Sequence, residues 1–224
     1  MAKSRIIKEL ASGKVSLETG LKQLKVLLTE FNKSEILRWV NCELQGYGDS
    51  DIVPEYRIVA GNLIGTFLNY QLKCTNIGIP LNANAPDEMV NICTNVKLYD
   101  SISALRMLND NSKEIGKPIP SSYLPYIQQY SAISMTALLS AFVKISQTQI
   151  ENIFSKVENM VLDVLLLLEK EFGNLDELDI DLATKDETEI ENITNNIMVI
   201  FYNDNSVTIG DNNKMKDTNI STAQ

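Results

Sequence analysis

The chain has 224 residues, 44% of them apolar, and 20 Lys and Arg against 29 Asp and Glu give it a net charge of −9. That length and apolar share suit one substantial core, or one domain with an appendage, and exclude a disordered or staple-dependent scaffold. The acidic balance excludes tight nucleic-acid binding as the main activity, because neutralising phosphates takes a basic surface, while leaving room for a local basic patch.

The first third reads as helices. Leu17, Leu21, Leu24 and Leu28, followed by Phe31, keep one apolar face behind a Ser16 N-cap. A second helix starts at Ser34, turns Ile36, Leu37, Val40 and Leu44 inward and stops at Gly46. The short "NKS" between them demands an antiparallel helical hairpin. From Pro54 the texture changes: "EYRIVAGNLIGTFLNYQLKC" is rich in β-branched and aromatic residues and carries Gly61 and Gly65. It predicts two or three twisted strands with a bulge or tight turn. "NIGIPLNANAPDEM" reads as a loop, "MVNICTNVKLYDSISALRMLND" as short helices with Ile102, Leu105 and Leu108 on one face, and "NSKEIGKPIPSSYLP" as an exposed loop.

At Ser146 the run "SQTQ" forms a capping box with Gln149. Ile150, Ile153, Val157, Met160, Val161, Val164 and Leu168 then hold one face as far as Gly173, a helix of about seven turns at 3.6 residues each. Leu165, Leu166 and Leu167 widen the stripe, so this helix is expected to be covered on more than one side. After it comes "NLDELDIDLATKDETEIEN", where acids dominate and no strong period persists, which reads as a linker or a weakly held element. Beyond lies a segment of strand composition, with Ile197, Val199 and Phe201 on one face, then Val207 and Ile209, divided by turn-formers Asn203, Asp204 and Asn205. The fold class is therefore α+β and predominantly α-helical: a helical hairpin, a small antiparallel sheet, one long amphipathic helix and a C-terminal β-strand tail. The chain divides into a main domain over 1–172, an acidic linker over 173–192 and an Asn-rich strand tail over 193–224.

The stretch "VSLETGLKQLKVLLTEFNKSEILRWVNCELQGYGDSDIVPEYRIVAGNLIG" resembles the AbiTii domain, a family named for bacterial abortive-infection systems. The matching features are the Ser-Leu-opened leucine helix, then Trp39, Glu43, Leu44, Gly46 and Tyr47, then Pro54, Tyr56 and Arg57 leading into a strand. "IGIPL" and the helix from "ISQTQ" onward resemble later segments of the family, so the likeness covers roughly residues 1–172. It implies a role in defence against phage, without an established reaction, and brings no catalytic residues with it. The tetrad Val207, Thr208, Ile209 and Gly210 resembles the V-Q-I-G core of RIP homotypic interaction motifs, with Thr208 where glutamine is usual. That likeness implies amyloid-like self-assembly. Independently of it, a short proline-free strand with side-chain amides that stack in ladders is what pairing between chains needs.

Catalytic chemistry is hard to place in this sequence. It contains no histidine, which removes Ser–His triads, Cys–His dyads and H-E-x-x-H zinc sites together. Cys42, Cys74 and Cys93 make an odd number without C-x-x-C spacing, so neither a disulfide framework nor a zinc site is expected. Trp39 and Glu43 stand at i, i+4, and Glu43 reads as accepting from nearby backbone or from Arg57 within the fold. The carboxylates Asp176, Glu177, Asp179, Asp181, Asp186, Glu187, Glu189 and Glu191 fall in one run and lack the Gly and terminal Glu of a calcium loop, so they read as a solvated linker. With neither a Walker sequence nor G-x-G-x-x-G, no standard nucleotide motif is present. No window approaches the roughly 18 apolar residues of a membrane span, and the chain reads as cytoplasmic.

The reading that follows is a non-enzymatic interaction module of anti-phage defence, self-associating or recruiting an effector through Ile197, Val199, Phe201 and Val207 to Gly210. The alternative is a toxin enzyme, nuclease-like, working through carboxylates and lysines. Expected partners are further copies of the chain, a defence effector or a phage-derived trigger protein. No cofactor, metal, nucleic acid or membrane is expected.

Overall fold

The computed structural model describes residues 3–111 and 114–202, and Val207, Thr208, Ile209 and Gly210 lie outside them. Its N-terminal layer is helical: α1 (Arg5–Ala11), α2 (Leu17–Thr29) and α3 (Ser34–Gln45). Ser16 Oγ accepts the Thr19 N–H at 3.2 Å, so the expected N-cap forms. Leu17, Leu21, Leu24, Leu27 and Leu28 are all buried, and α2 lies against α3 as the short connection requires.

A 3₁₀ turn over Glu55–Arg57 leads into β1 (Ile58–Ala60), β2 (Asn62–Asn69) and β3 (Leu72–Gly78), the strands expected after Pro54. The next elements are α4 (Asp87–Thr94), β4 (Asn95–Lys97) and α5 (Ile102–Asn111). β1 and β4 form an antiparallel two-stranded sheet pairing Ile58 with Lys97 and Ala60 with Asn95. The second sheet is also antiparallel, in the order β3-β2-β6-β5, and draws on β5 (Ile115–Pro118) and β6 (Ala137–Ile145). Its register pairs Leu63 with Val143 and Gly65 with Ala141 and shifts between Thr66 and Phe67, the expected bulge. The segment read as an exposed loop is corrected here. Its residues form β5 and the approach to α6 (Leu124–Tyr130), because Ile115 and Ile119 are anchored in the core despite the prolines around them.

α7 (Gln147–Phe172) is the central helix. Its capping box closes with the Ser146 N–H donating to Gln149 Oε1 at 2.9 Å. Every residue of the predicted face, Ile150 through Leu168, is buried, and α1, α2, α5 and α8 all touch it. Phe31 meets Phe172 edge to face at 6.0 Å.

The strand expected over Ile197, Val199 and Phe201 is also corrected. These residues belong to α8 (Glu187–Tyr202), in which Ile193, Ile197 and Phe201 are buried at i, i+4 and i+8 while Val199 is half exposed. Two forces override the β-propensity of "IMVIF". The Asp186 N–H donates to Glu189 Oε2 at 3.1 Å and the Glu189 N–H to Asp186 Oδ1 at 2.8 Å, starting a helix with a reciprocal cap. At the other end Phe201 stacks on Trp39, with ring centroids 3.9 Å apart and planes 11° from parallel. The acidic stretch between α7 and α8 carries Leu175 and Ile180 into the core, so the helical core runs on past Gly173 to Tyr202.

Candidate functional site

The eight residues that carry the family resemblance come together where α3 ends against the β1–β4 sheet. α3 delivers Trp39 and Glu43 on its inner face. Gly46 then breaks the helix at φ +95°, and a Cβ there would stand 2.9 Å from Tyr99 O. Only glycine both adopts that backbone and permits that approach. The turn lets the Tyr47 N–H donate to Tyr99 O at 2.7 Å and sends the Tyr47 ring back over the helix end. From the other side Pro54 O accepts the Arg57 N–H at 2.9 Å, closing the 3₁₀ turn that presents Tyr56 and Arg57 to Glu43. Leu44 is half-buried and packs against the core.

The centre is a carboxylate with no exposure to solvent. Glu43 Oε1 accepts from the Tyr47 hydroxyl at 2.6 Å, the Tyr56 hydroxyl at 2.7 Å and Arg57 Nε at 3.1 Å, while Oε2 accepts from Arg57 Nη2 at 2.5 Å. The expectation that Glu43 accepts from Arg57 is met. Arg57 is equally buried, and its remaining nitrogen Nη1 donates to Leu98 O at 3.2 Å and Asp100 O at 2.6 Å. The guanidinium also lies 4.9 Å from the Tyr47 ring centre. Trp39 Nε1 donates to the Tyr56 hydroxyl at 3.0 Å, and Phe201 stacks on the indole.

Electrostatically the cluster is closed. Burial, and then the Glu43 charge beside them, push the Tyr47 and Tyr56 hydroxyls far above the ordinary tyrosine range, so both remain donors. Burial works against the Arg57 charge, but the Glu43 carboxylate outweighs it and holds the guanidinium protonated. The carboxylate has no solvent-exposed surface and accepts four hydrogen bonds from within the fold, which leaves no open approach for a substrate or a metal. The arrangement is a clamp that fastens α3 to the Leu98–Asp100 segment.

Next to the clamp, Glu35, Arg38, Cys42, Asp51, Met198 and Tyr202 line a small cavity of about 160 Å³. Arg38 reaches Asp51 Oδ1 through Nε at 3.0 Å and Nη2 at 2.6 Å, and Asp51 Oδ2 accepts the Gly48 N–H at 2.7 Å. Burial pushes the Cys42 thiol up, so this cysteine is not an activated nucleophile. All three cysteines are free.

The acidic run after α7 gathers no group of three or more metal-ligating side chains among the described residues. Its members serve locally. Asp176 Oδ1 accepts the Arg5 N–H at 2.5 Å, Asp181 Oδ1 caps the short turn over Leu182–Thr184, and Lys185 pairs with Glu171 at 3.0 Å. Close by, Glu169 Oε1 accepts from Ser4 N and Ser4 Oγ at 2.6 and 2.7 Å, and Oε2 from Lys3 Nζ at 2.6 Å. These bonds outweigh burial and bring the Glu169 carboxyl down to about 2.

The motif was legible in the sequence, but three of its partners were not. The carbonyls of Leu98 and Asp100 carry no side-chain signal. Phe201 was legible only in the 193, 197, 201 spacing, which a β-rich composition concealed.

Among the described residues no helix is long and apolar enough to cross a membrane. No curated protein and no solved structure matches the chain. The AbiTii family model matches residues 4–195, which takes in the Trp39 to Arg57 clamp, the second sheet and most of α8. The chain therefore belongs to the AbiTii family, and its role is tied to abortive infection.

Proposed function

We propose that the protein is a non-enzymatic interaction module of abortive-infection defence, acting through contacts with further copies or with an effector. The observation that carries this reading is the closed state of the Glu43–Arg57 cluster. Both charged groups have zero exposure, and every charged nitrogen and oxygen on them has a hydrogen-bond partner within the fold. The motif that defines the resemblance thus builds a scaffold and presents no reactive group. The absence of histidine from all 224 residues points the same way.

The segment assigned to pairing is Val207, Thr208, Ile209 and Gly210, which lies outside the described residues. The support is sequence chemistry: a β-prone, proline-free run with neighbouring asparagines. Ile197, Val199 and Phe201 leave this assignment, since two of them are core residues of α8.

The test is the molar mass of the full chain in solution, by size-exclusion chromatography with light scattering, beside the Ile209→Lys variant. The expected result is an assembly that the variant dissolves while its thermal unfolding midpoint stays unchanged. Equal masses for the two proteins would overturn the assignment. Host-cell killing that survives in a dispersed variant and is lost on changing a core acid would favour the toxin-enzyme reading instead.

A further inference from the structure

The clamp has a second consequence on the opposite side of the Leu98–Asp100 segment. The two-stranded sheet turns Val59 and Val96 inward and leaves Ile58, Lys97 and the Ala60–Asn95 pair on its outer face. α4 brings Glu88, Asn91 and Ile92 to one edge, and β5 brings Lys117 to another. Together with Tyr99 these residues line an open depression of about 540 Å³, a size ordinary for small-molecule sites.

Its chemistry is unusual for this protein. Lys117 is half-buried, yet among the described residues no carboxylate lies within ion-pair distance, and its Nζ has only the Asn95 carbonyl at 3.4 Å. Shielded cations are normally paired. Lys185, with 17% of its side chain exposed, has both Glu171 and Glu189. Lys97 enters the same depression, also without an ion pair among the described residues. Two unneutralised lysines therefore converge on a molecule whose net charge is −9.

Lys117 is held in place by construction. Gly116, at φ +154°, sits so close to β6 that a Cβ would come within 1.9 Å of Val143 O. The lining also offers apolar surface: Tyr99 is 44% exposed and Ile58 37%. Tyr99 is fixed from behind, because its carbonyl accepts from Tyr47 and its neighbours' carbonyls accept from Arg57. The same lining includes the amides of Asn91 and Asn95, hydrogen-bonded to each other, and Glu88. A bare polyanion would be repelled by Glu88. A ligand with an anionic end, a flat ring and N–H groups on that ring matches each kind of group in the lining.

We propose that this depression binds a nucleotide, with its phosphate between Lys97 and Lys117 and its base against Tyr99 and Ile58. The ring's N–H groups face Glu88 and the two asparagines. No phosphate loop is involved; lysine side chains act as point charges. The proposal is independent of whether the tail assembles.

The test is calorimetric titration of the full chain with the common ribonucleoside mono- and triphosphates, with inorganic phosphate, and with the corresponding nucleosides. The expected result is saturable binding of at least one nucleotide, weaker by about tenfold or more for Lys117→Gln and for Lys97→Gln, as loss of a charge-assisted contact implies. Lys22→Gln, exposed on α2 and outside the residues that line the depression, is expected to bind as the parent does. Lys97 is exposed, so its variant reports on binding even should Lys117→Gln fail to fold. Lack of binding by every nucleotide at millimolar concentration would overturn the proposal. So would unchanged affinity in the Lys97 variant, or equal affinity for inorganic phosphate alone.

Discussion

Replacing Arg57 with methionine removes the cation but keeps an unbranched apolar side chain of comparable length. Glu43 then stays buried with only the Tyr47 and Tyr56 hydroxyls as donors, and Leu98 O and Asp100 O lose the nitrogen that served both. Leaving one member of a buried ion pair uncompensated costs about 3–5 kcal/mol. The buried Leu98 carbonyl, orphaned, adds roughly 1 kcal/mol, so a loss of about 4–6 kcal/mol is expected. Urea unfolding at pH 7, followed by circular dichroism, measures it as a fall in midpoint at unchanged slope. Removing the carboxylate as well, in Glu43→Leu with Arg57→Met, eliminates the unpaired charge, so the double variant is expected to be no less stable than Arg57→Met alone. The coupling between the two sites then reaches several kcal/mol, well outside the roughly 0.5 kcal/mol of independent sites. A loss below about 1 kcal/mol for Arg57→Met, or additive costs in the double variant, would refute the view that the clamp is closed to water.

Two further outcomes follow from α8 and from the contacts of Glu169 with Lys3 and Ser4. Phe201→Ala is expected to cost about 3–5 kcal/mol and Val199→Ala under about 1 kcal/mol, since one ring lies on Trp39 and the other side chain faces half outward; comparable costs in the same urea assay would restore the strand reading. Glu169, whose carboxyl is held down at about 2 against an ordinary 4.5, contributes stability that is complete above pH 4.5 and is lost as pH falls toward 2. Glu169→Gln is expected to flatten that acid limb of the urea midpoint, and limbs of equal steepness would show that the Ser4 and Lys3 contacts do not hold in solution.

What was legible in the sequence follows from where the determining forces act. The helical hairpin and α7 rest on local periodicity and caps, Ser16 and the Ser146–Gln149 box, so a window of a dozen residues contains the whole signal. The strands after Pro54 announced themselves by β-branched runs. β4 and β5 did not: "NVK" and "IGKP" are strands only because distant β1 and β6 offer them partners. α8 failed for the opposite reason, as its strand-like composition is overruled by Trp39, which lies 162 residues earlier than Phe201. At the site, Glu43 and Arg57 could be matched by charge and spacing. The depression beside Tyr99 could not, because Lys97, Lys117 and Asn91 belong to three separate elements that only the finished fold juxtaposes.

The pairing of β2 with β6 bears on how the chain can be made. Asn62 faces Lys144 across that ladder, and Ser4 waits for Glu169, 165 positions later. On the ribosome the α2–α3 hairpin can close early, but β2 and β3 remain a two-stranded ribbon, marginal in water, until β6 has emerged. α7, the helix that most of the core surrounds, comes later still. The chain through α7 must leave the exit tunnel before the apolar face of α2 finds its permanent cover. Elongation that stalls before about residue 170 therefore releases a product with a long exposed leucine stripe, a substrate for chaperones and proteases rather than a working fragment.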